Sequence, residues 1–389
     1  MEIRRLETRH CDAGWRDYHF VKVTASDGVI GWSEYDEDFG SAGVTAVIER
    51  LASSLRGQDL GAHERVYSEL FCKLRPAADG AAGQALGAIE NALLDAKAKL
   101  LGLPCYALLG GKVRDRIRLY WSHCATWRIS HPQFYPPAIR DLDGVASIGA
   151  EAKRRGFTAL KTNIFEFGEA GARCWRPGFG TPFEPGRNME RSTLRHLRSH
   201  LEALRSGAGQ AMDILLDLNF NCATEGYLKV LRELRDFGLF WAEIDSRNPR
   251  ALRHIRQQSQ CPISSCETLL GLRNFLPFFQ QEAVDVAIID AVWNGVWQSL
   301  KVAACAEAYE VNIAPHNFYG HLATMMNAHF VAAVPNLRIM EIDIDRLSWD
   351  DDLFTEAPVI EDGHLLLPDR PGWGTEPVEQ ALRDHPVCN

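Results

Sequence analysis

Seven ionisable residues each follow a short apolar run in the last two-thirds of the chain. They are Lys161 in LKTN, Asp217 in LLDLN, Glu243 in FWAEID, Glu267 in SSCET, Asp290 in AIIDAV, His316 in IAPHN and Glu341 in RIMEID. From Asp217 onward the steps are 26, 24, 23, 26 and 25 residues. One such group per repeating unit, always at the end of the apolar run, is hard to obtain by chance. Taken singly, each carboxylate could be no more than a helix N-cap. Together, Asp217, Glu243 and Glu267 would repel one another unless a cation sat between them. All-oxygen ligands favour a hard ion such as Mg²⁺, which keeps coordination places for water or substrate. Asp290 and His316 close consecutive units. A carboxylate that orients and charges a neighbouring imidazole makes a general base. His321, five residues on, is the nearest substitute for His316.

The elements that must position these residues are legible around them. The apolar runs are Ile117–Trp121, Thr158–Thr162, Asp213–Leu218, Leu239–Glu243, Pro262–Ser265, Val284–Ile289, Val311–Ala314 and Leu337–Ile342. Helical patterns lie between them, including Leu228–Phe237, Pro249–Gln258, Leu269–Phe279 and Gln298–Ala308. Eight strands alternating with helices predict a parallel sheet closed as a barrel, whose strand ends share one mouth. Before it, Glu2–Arg9, Tyr18–Ala25 and Val29–Tyr35 read as strands, and Val44–Leu55, Glu64–Leu74 and Ala81–Leu101 as helices. In the third helix Leu86, Ile89, Leu93, Leu94 and Ala98 share one face, and Gly102 and Pro104 end it. The expected division is an α+β unit over 1–115, the barrel over 116–350 and a loop-rich tail over 351–389. The tail has no barrel strand left to supply, so it is expected to pack elsewhere, and it ends in a short helix near Pro377–Arg383. Residues 165–191 interrupt the regular spacing, and a long loop of this kind usually serves function.

Composition narrows the classes further. The chain has 389 residues, 46% of them hydrophobic and 24% charged, which describes a globular protein and excludes a disordered one. A net charge of −9 argues against a nucleic-acid surface. No run approaches the length of a membrane span, and the charged start MEIRRLETRHCDAGW lacks the apolar core of a signal peptide. Ten cysteines without a CxxC pair point to reduced thiols and a cytoplasmic setting.

These motifs resemble the enolase superfamily, in its mandelate racemase subgroup, over essentially the whole chain. The stretch ALGAIENALLDAKAKLLGLPCYALLGGKVRDRIRLY (85–120) resembles that family's junction between cap and barrel, and PGWGTEPVEQAL (371–382) its return to the cap. The resemblance implies a modified TIM barrel, (β/α)7β, with an α+β capping domain completed by the C-terminal tail. It implies Asp217, Glu243 and Glu267 as Mg²⁺ ligands, Asp290–His316 as the catalytic dyad, Lys161 as the neutraliser of the substrate carboxylate and Glu341 as its hydrogen-bond partner. One departure is informative. The racemases carry Lys-x-Lys at the second barrel strand, the second lysine serving as a base on the opposite face of the substrate. Here the motif is Lys161-Thr162-Asn163, and an amide cannot abstract a proton. The Asp-x-His of galactonate-type and mannonate-type dehydratases is likewise replaced by Asp217-Leu218-Asn219. A single base favours loss of a β-hydroxyl over reprotonation from the other side. The expected activity is therefore dehydration of an acid sugar to a 2-keto-3-deoxy acid, with a racemase, epimerase or cycloisomerase as the alternative. Substrate-reading candidates are Asn219, Trp15, Arg16, the segment 36–41, His321 and, in the insertion, Arg173, Trp175, Arg176 and Arg187. The expected partner is a small carboxylate, with no nucleic acid or membrane, and the resemblance implies a homo-oligomer.

Overall fold

A computed structural model describes residues 1–75, 79–169, 171–179 and 189–387. Arg187 and Cys388 lie outside them. The chain opens with an antiparallel sheet of three strands in sequence order: β1 (Ile3–Asp12), β2 (Asp17–Ala25) and β3 (Ile30–Tyr35). The turn before β3 contains Gly28 at φ +93, a conformation that a glycine adopts without a Cβ penalty. Helices α1 (Val44–Leu55), α2 (His63–Leu74) and α3 (Ala81–Leu101) follow, and a four-residue helix, α4 (Cys105–Leu108), leads to the barrel.

The sequence assigns α3 one apolar face, yet the helix is buried nearly all round from Gln84 to Ala96. The reason is that it is packed on two sides, against β3 and against a short helix of the barrel, Ala291–Asn294. Its small residues permit this. A Cβ on Gly87 would lie 2.4 Å from the Trp293 carbonyl oxygen, so only glycine lets the two backbones approach.

Eight parallel strands then form a ring: β4 (Arg116–Trp121) and β5 (Ala159–Thr162), and, after a hairpin of β6 (Phe165–Gly168) and β7 (Gly171–Cys174), β8 (Asp213–Asp217), β9 (Trp241–Glu243), β10 (Ile263–Ser265), β11 (Val286–Ile289), β12 (Asn312–Pro315) and β13 (Met340–Ile342). β13 returns to pair with β4, and an isolated parallel bridge between Ile313 and Leu337 joins it to the β12 side. Alternate inward residues fill the interior, among them Tyr120, Leu215, Trp241, Ile288 and Ile339, so the barrel is a packed core and not a pore. The outer helices are α5 (Thr126–Ser130), α6 (Leu142–Arg154), α7 (Arg191–Ala208), α8 (Thr224–Glu233), α9 (Pro249–Gln258), α10 (Leu272–Gln280), α11 (Ala291–Asn294), α12 (Val296–Ala308) and α13 (His321–Ala332).

Two expectations are corrected. The insertion is not all loop, because Phe165–Gly168 and Gly171–Cys174 pair as the β6–β7 hairpin. The tail does supply strands, β14 (Ile360–Glu361) and β15 (His364–Leu366), and β15 pairs antiparallel with β4. At two and three residues these strands are too short to show an alternating pattern. Beyond them α14 (Glu379–Asp384) returns to the first sheet, where the Asp12 N–H donates to the His385 carbonyl at 2.9 Å and Lys22 pairs with Glu379. Among the described residues all nine cysteines are free, and no helix is long and apolar enough to cross a membrane.

A second tie joins the first sheet to the barrel. Glu34 on β3 accepts hydrogen bonds from the Gly320 and Ala323 N–H groups at 2.6 and 3.0 Å, at the start of α13. Burial nevertheless outweighs these donors and pushes the carboxyl up to about 7, from an ordinary 4.5. The folded state therefore binds the proton more tightly than the unfolded chain. This contribution is largest below the unfolded value and is lost as pH rises from about 4.5 to about 7. Glu34→Gln is expected to flatten that part of the stability–pH profile, measured by thermal melts. An unchanged slope would refute it.

Candidate active site

Each barrel strand ends at the same mouth, and the strand ends carry the residues singled out by spacing. Lys161, at the end of β5, is buried, and its Nζ lies 2.8 Å from Glu243, 3.0 Å from Glu341 and 3.4 Å from Asp217. Burial disfavours the ammonium, but Glu243 and Glu341 outweigh it and hold Lys161 well above its ordinary value. Glu341 is fully buried beneath it. The Glu341 carboxylate accepts from Ser122 Oγ at 2.5 Å and the Asn317 N–H at 2.7 Å. Burial would raise this carboxyl, but Lys161 and His316 hold it far below the usual range. A carboxylate engaged in this way anchors Lys161.

On the other side His316 follows β12. Its Nδ1 lies 2.7 Å from Asp290 Oδ2, and Nε2 faces Glu267 at 3.7 Å. The Tyr319 hydroxyl donates to the same Asp290 oxygen, and the Trp293 N–H donates to Oδ1 at 2.8 Å. With both oxygens of Asp290 engaged, the imidazole is fixed in orientation and Nε2 is the nitrogen left for chemistry. Burial opposes the imidazolium, but Glu267 and Asp290 outweigh it and push His316 up to about 10. Neutralising Glu267 with a bound cation would bring this value down toward the working pH.

Asn163 stands on the Lys161 side. Its Oδ1 accepts from Thr126 Oγ1 at 2.7 Å and its Nδ2 donates to Asn219 Oδ1 at 3.2 Å. Asn219, at φ +44, turns its own N–H onto Asp217 Oδ1 at 2.9 Å. The amide is thus locked in a polar chain where a second base would be needed.

Asp217, Glu243 and Glu267 cluster with one carboxylate the sequence reading missed. Asp245 lies two residues past the end of β9, with Asp217, Glu243 and Lys161 as its charged neighbours. It is 4% exposed, and neither of its carboxylate oxygens has a hydrogen-bond donor. Burial, then the charges of Asp217 and Glu243, push its carboxyl well above the usual range. Five buried carboxylates, Glu341 included, share the mouth with the Lys161 ammonium and the His316 imidazole, and the two orphaned oxygens of Asp245 lie among them. That donor set suits a hard divalent cation. Among the described residues no three acidic, histidine or cysteine side chains stand close enough together to hold an ion, and Lys161 Nζ lies 3.4 and 2.8 Å from Asp217 and Glu243. Holding an ion there requires these side chains to shift.

The cavity above is small, about 40 Å³. Its wall includes Lys161, Asn163, Asp217, Asn219, Glu267 and His316, together with Arg176 and the rings of Phe39, Phe179 and Phe318. Phe39 packs against the other two rings at 6.0 and 5.1 Å, and the Phe39 N–H donates to Asp36 at 3.2 Å. His123 also lines the wall, 3.4 Å from Asp343. It had no signal in the spacing, because it lies past the end of the first barrel strand in a non-apolar stretch.

Several candidates are placed elsewhere. Arg173 is exposed on β7 and pairs with Glu166 at 2.6 Å. His321 pairs with Asp351 at 2.7 Å, beneath the tail and away from the cavity. Trp15 is not in the wall. It backs one wall residue, lying 4.6 Å from Trp127, and donates to Tyr135. The Arg16 guanidinium packs over Trp15, Tyr18 and Phe318, outside the wall.

The family pattern for the mandelate racemase / muconate lactonizing enzyme N-terminal domain matches residues 10–110, and the enolase C-terminal domain-like pattern matches residues 145–381. The chain belongs to the enolase superfamily, in the mandelate racemase and muconate lactonizing enzyme family. A crystallised member of the superfamily from Burkholderia xenovorans strain LB400 is 61% identical. It superposes with a TM-score of 0.98, covering 99% of this chain and 96% of its own. It is provisionally named an L-alanine-DL-glutamate epimerase and was crystallised with magnesium and fumarate. The D-xylonate dehydratase of Haloferax volcanii is 26% identical, over 99% of this chain and 89% of its own length. The D-gluconate dehydratase of Thermoproteus tenax is also 26% identical, over 98% and 72%.

Proposed function

We propose that the protein dehydrates an acid sugar, abstracting the proton α to a carboxylate and expelling the β-hydroxyl, to give a 2-keto-3-deoxy acid. The observation that carries this reading is the asymmetry of the site. The Asp290–His316 pair supplies a base on one side, and the locked amide of Asn163 faces it on the other. Two-base racemisation lacks its second proton acceptor there. The dehydratase names of the relatives from H. volcanii and T. tenax support the same reaction type.

Asp217, Glu243 and Glu267, with Asp245 beside them, would hold Mg²⁺. When bound, such an ion would supply charge stabilisation for the negative charge that develops on the substrate. The magnesium carried by the 61% identical relative is consistent with that assignment. Lys161, anchored by Glu341, holds the substrate carboxylate and shares the developing negative charge. His316 Nε2 takes the α-proton, and Asp290 stabilises the resulting imidazolium. The protonated His316 then returns that proton to the departing hydroxyl, so a single group serves both steps in a syn elimination. The enol product tautomerises to the keto acid.

The epimerase name of the 61% identical relative favours a second reading, in which the enediolate is reprotonated without loss of water. One experiment separates the two. Purified protein with Mg²⁺ is screened against mono- and diacid sugars in D₂O, following keto-acid formation and α-deuteration together. Keto acid from one or a few sugars supports dehydration. Deuterium incorporation with inversion and no keto acid would sink it in favour of epimerisation.

A further inference from the structure

We propose that Arg176 holds a second carboxylate of the substrate, so that the substrate is a dicarboxylic acid and not a monoacid. The proposal rests on the reading above only in placing the reacting carboxylate beside Lys161.

Arg176 lies on the segment that leaves the β6–β7 hairpin, and this segment is anchored along its length. The Trp175 N–H donates to the Ile164 carbonyl at 2.8 Å. Arg176 Nη2 donates to Ser130 Oγ at 2.9 Å, at the end of α5. The Gly178 N–H donates to Asn221 Oδ1 at 3.0 Å. A Cβ at position 178 would lie 2.7 Å from the Phe220 carbonyl oxygen, so only glycine lets the segment approach this closely. These contacts hold the guanidinium in the cavity wall.

Among the described residues its charge has no acidic partner, whereas three residues earlier Arg173 has Glu166. Ser130 engages one of its five N–H groups, leaving the rest of the planar fork available. Lys161 and Arg176 are the two permanently charged cations among the described residues of the wall. Lys161 is already committed to the carboxylates beneath it and to the reacting end of the substrate. A distal hydroxyl would leave the guanidinium without counter-charge in a wall shielded by Phe39 and Phe179. A distal carboxylate accepts two parallel N–H bonds and supplies that charge.

The test is binding of succinate against butyrate, by calorimetric titration with excess MgCl₂. The two have the same carbon count, differ in the second carboxylate, and neither can lose water. The wild-type protein is expected to bind succinate at least tenfold more tightly. Arg176→Met should bring succinate to within about threefold of butyrate. Arg176→Lys should recover only part of the difference, because an ammonium cannot form the fork. Arg173→Met should leave the preference unchanged. Thermal melts of each variant check the fold. Equal binding of the two acids by the wild type, or a preference that survives in Arg176→Met, would overturn the proposal. A succinate preference with neither keto acid nor α-deuteration from any hydroxylated diacid would support Arg176 and refute the dehydratase reading instead.

Discussion

His316→Asn is expected to lower kcat by about 10³-fold, within the usual range for loss of a positioned acid–base group, and to abolish α-proton exchange in D₂O. The exchange readout matters because it reports on proton abstraction before any water is lost. Asparagine keeps a polar group near Asp290 and Tyr319, so the melting temperature should fall by no more than a few degrees. Loss of turnover with exchange intact would mean that another group takes the α-proton and that His316 serves the later step alone. Turnover above a tenth of wild type would refute its role altogether. Tyr319→Phe is the companion variant. It leaves Asp290 Oδ2 to the imidazole alone and should shift the pH profile more than it lowers the maximal rate.

The second large effect concerns the carboxylate cluster. Removing divalent ions by chelation is expected to abolish turnover, and MgCl₂ should restore it. Mg²⁺ at about a hundred times its Kd should stabilise the fold by about 2.7 kcal/mol, seen as a rise in Tm of several degrees. Glu243→Gln should remove both the rescue and the Tm rise. Its carboxylate has the shortest contact with Lys161, and burial together with nearby Asp217 already pushes its carboxyl up to about 7. Glutamine brings no negative charge to an ion. A Tm unaffected by Mg²⁺ in the wild-type protein would rule out Asp217, Glu243 and Glu267 as its ligands.

Most of this site was legible because a repeated βα unit writes one polar residue after each apolar run. That regularity exposed Asp217, Glu243, Glu267, Asp290, His316 and Glu341, and α9 even matched residue for residue. What escaped lies off the period. Asp245 is hidden two residues after Glu243, past the end of β9. Tyr319 acts through Asp290, and nothing in its neighbourhood marks that contact. Arg173 and Arg176 are equivalent as sequence. Only the path of the hairpin sends one to solvent, against Glu166, and the other over the cavity. Glu34 needed the fold, because its partners on α13 lie nearly three hundred residues away. The tail strands were missed because two or three residues cannot display a period.

The pairing of β15 with β4 has a consequence for synthesis. The first barrel strand takes neighbours from β5, β13 and β15, and two of these are translated more than two hundred residues later. At about 5–20 residues per second, β4 spends tens of seconds on the ribosome with an open edge. An unpaired, apolar edge is a template for the wrong partner. The first sheet waits still longer, since α14 and His385 close it last. A nascent chain halted before residue 360 should therefore be sticky and protease-sensitive, however complete its catalytic residues.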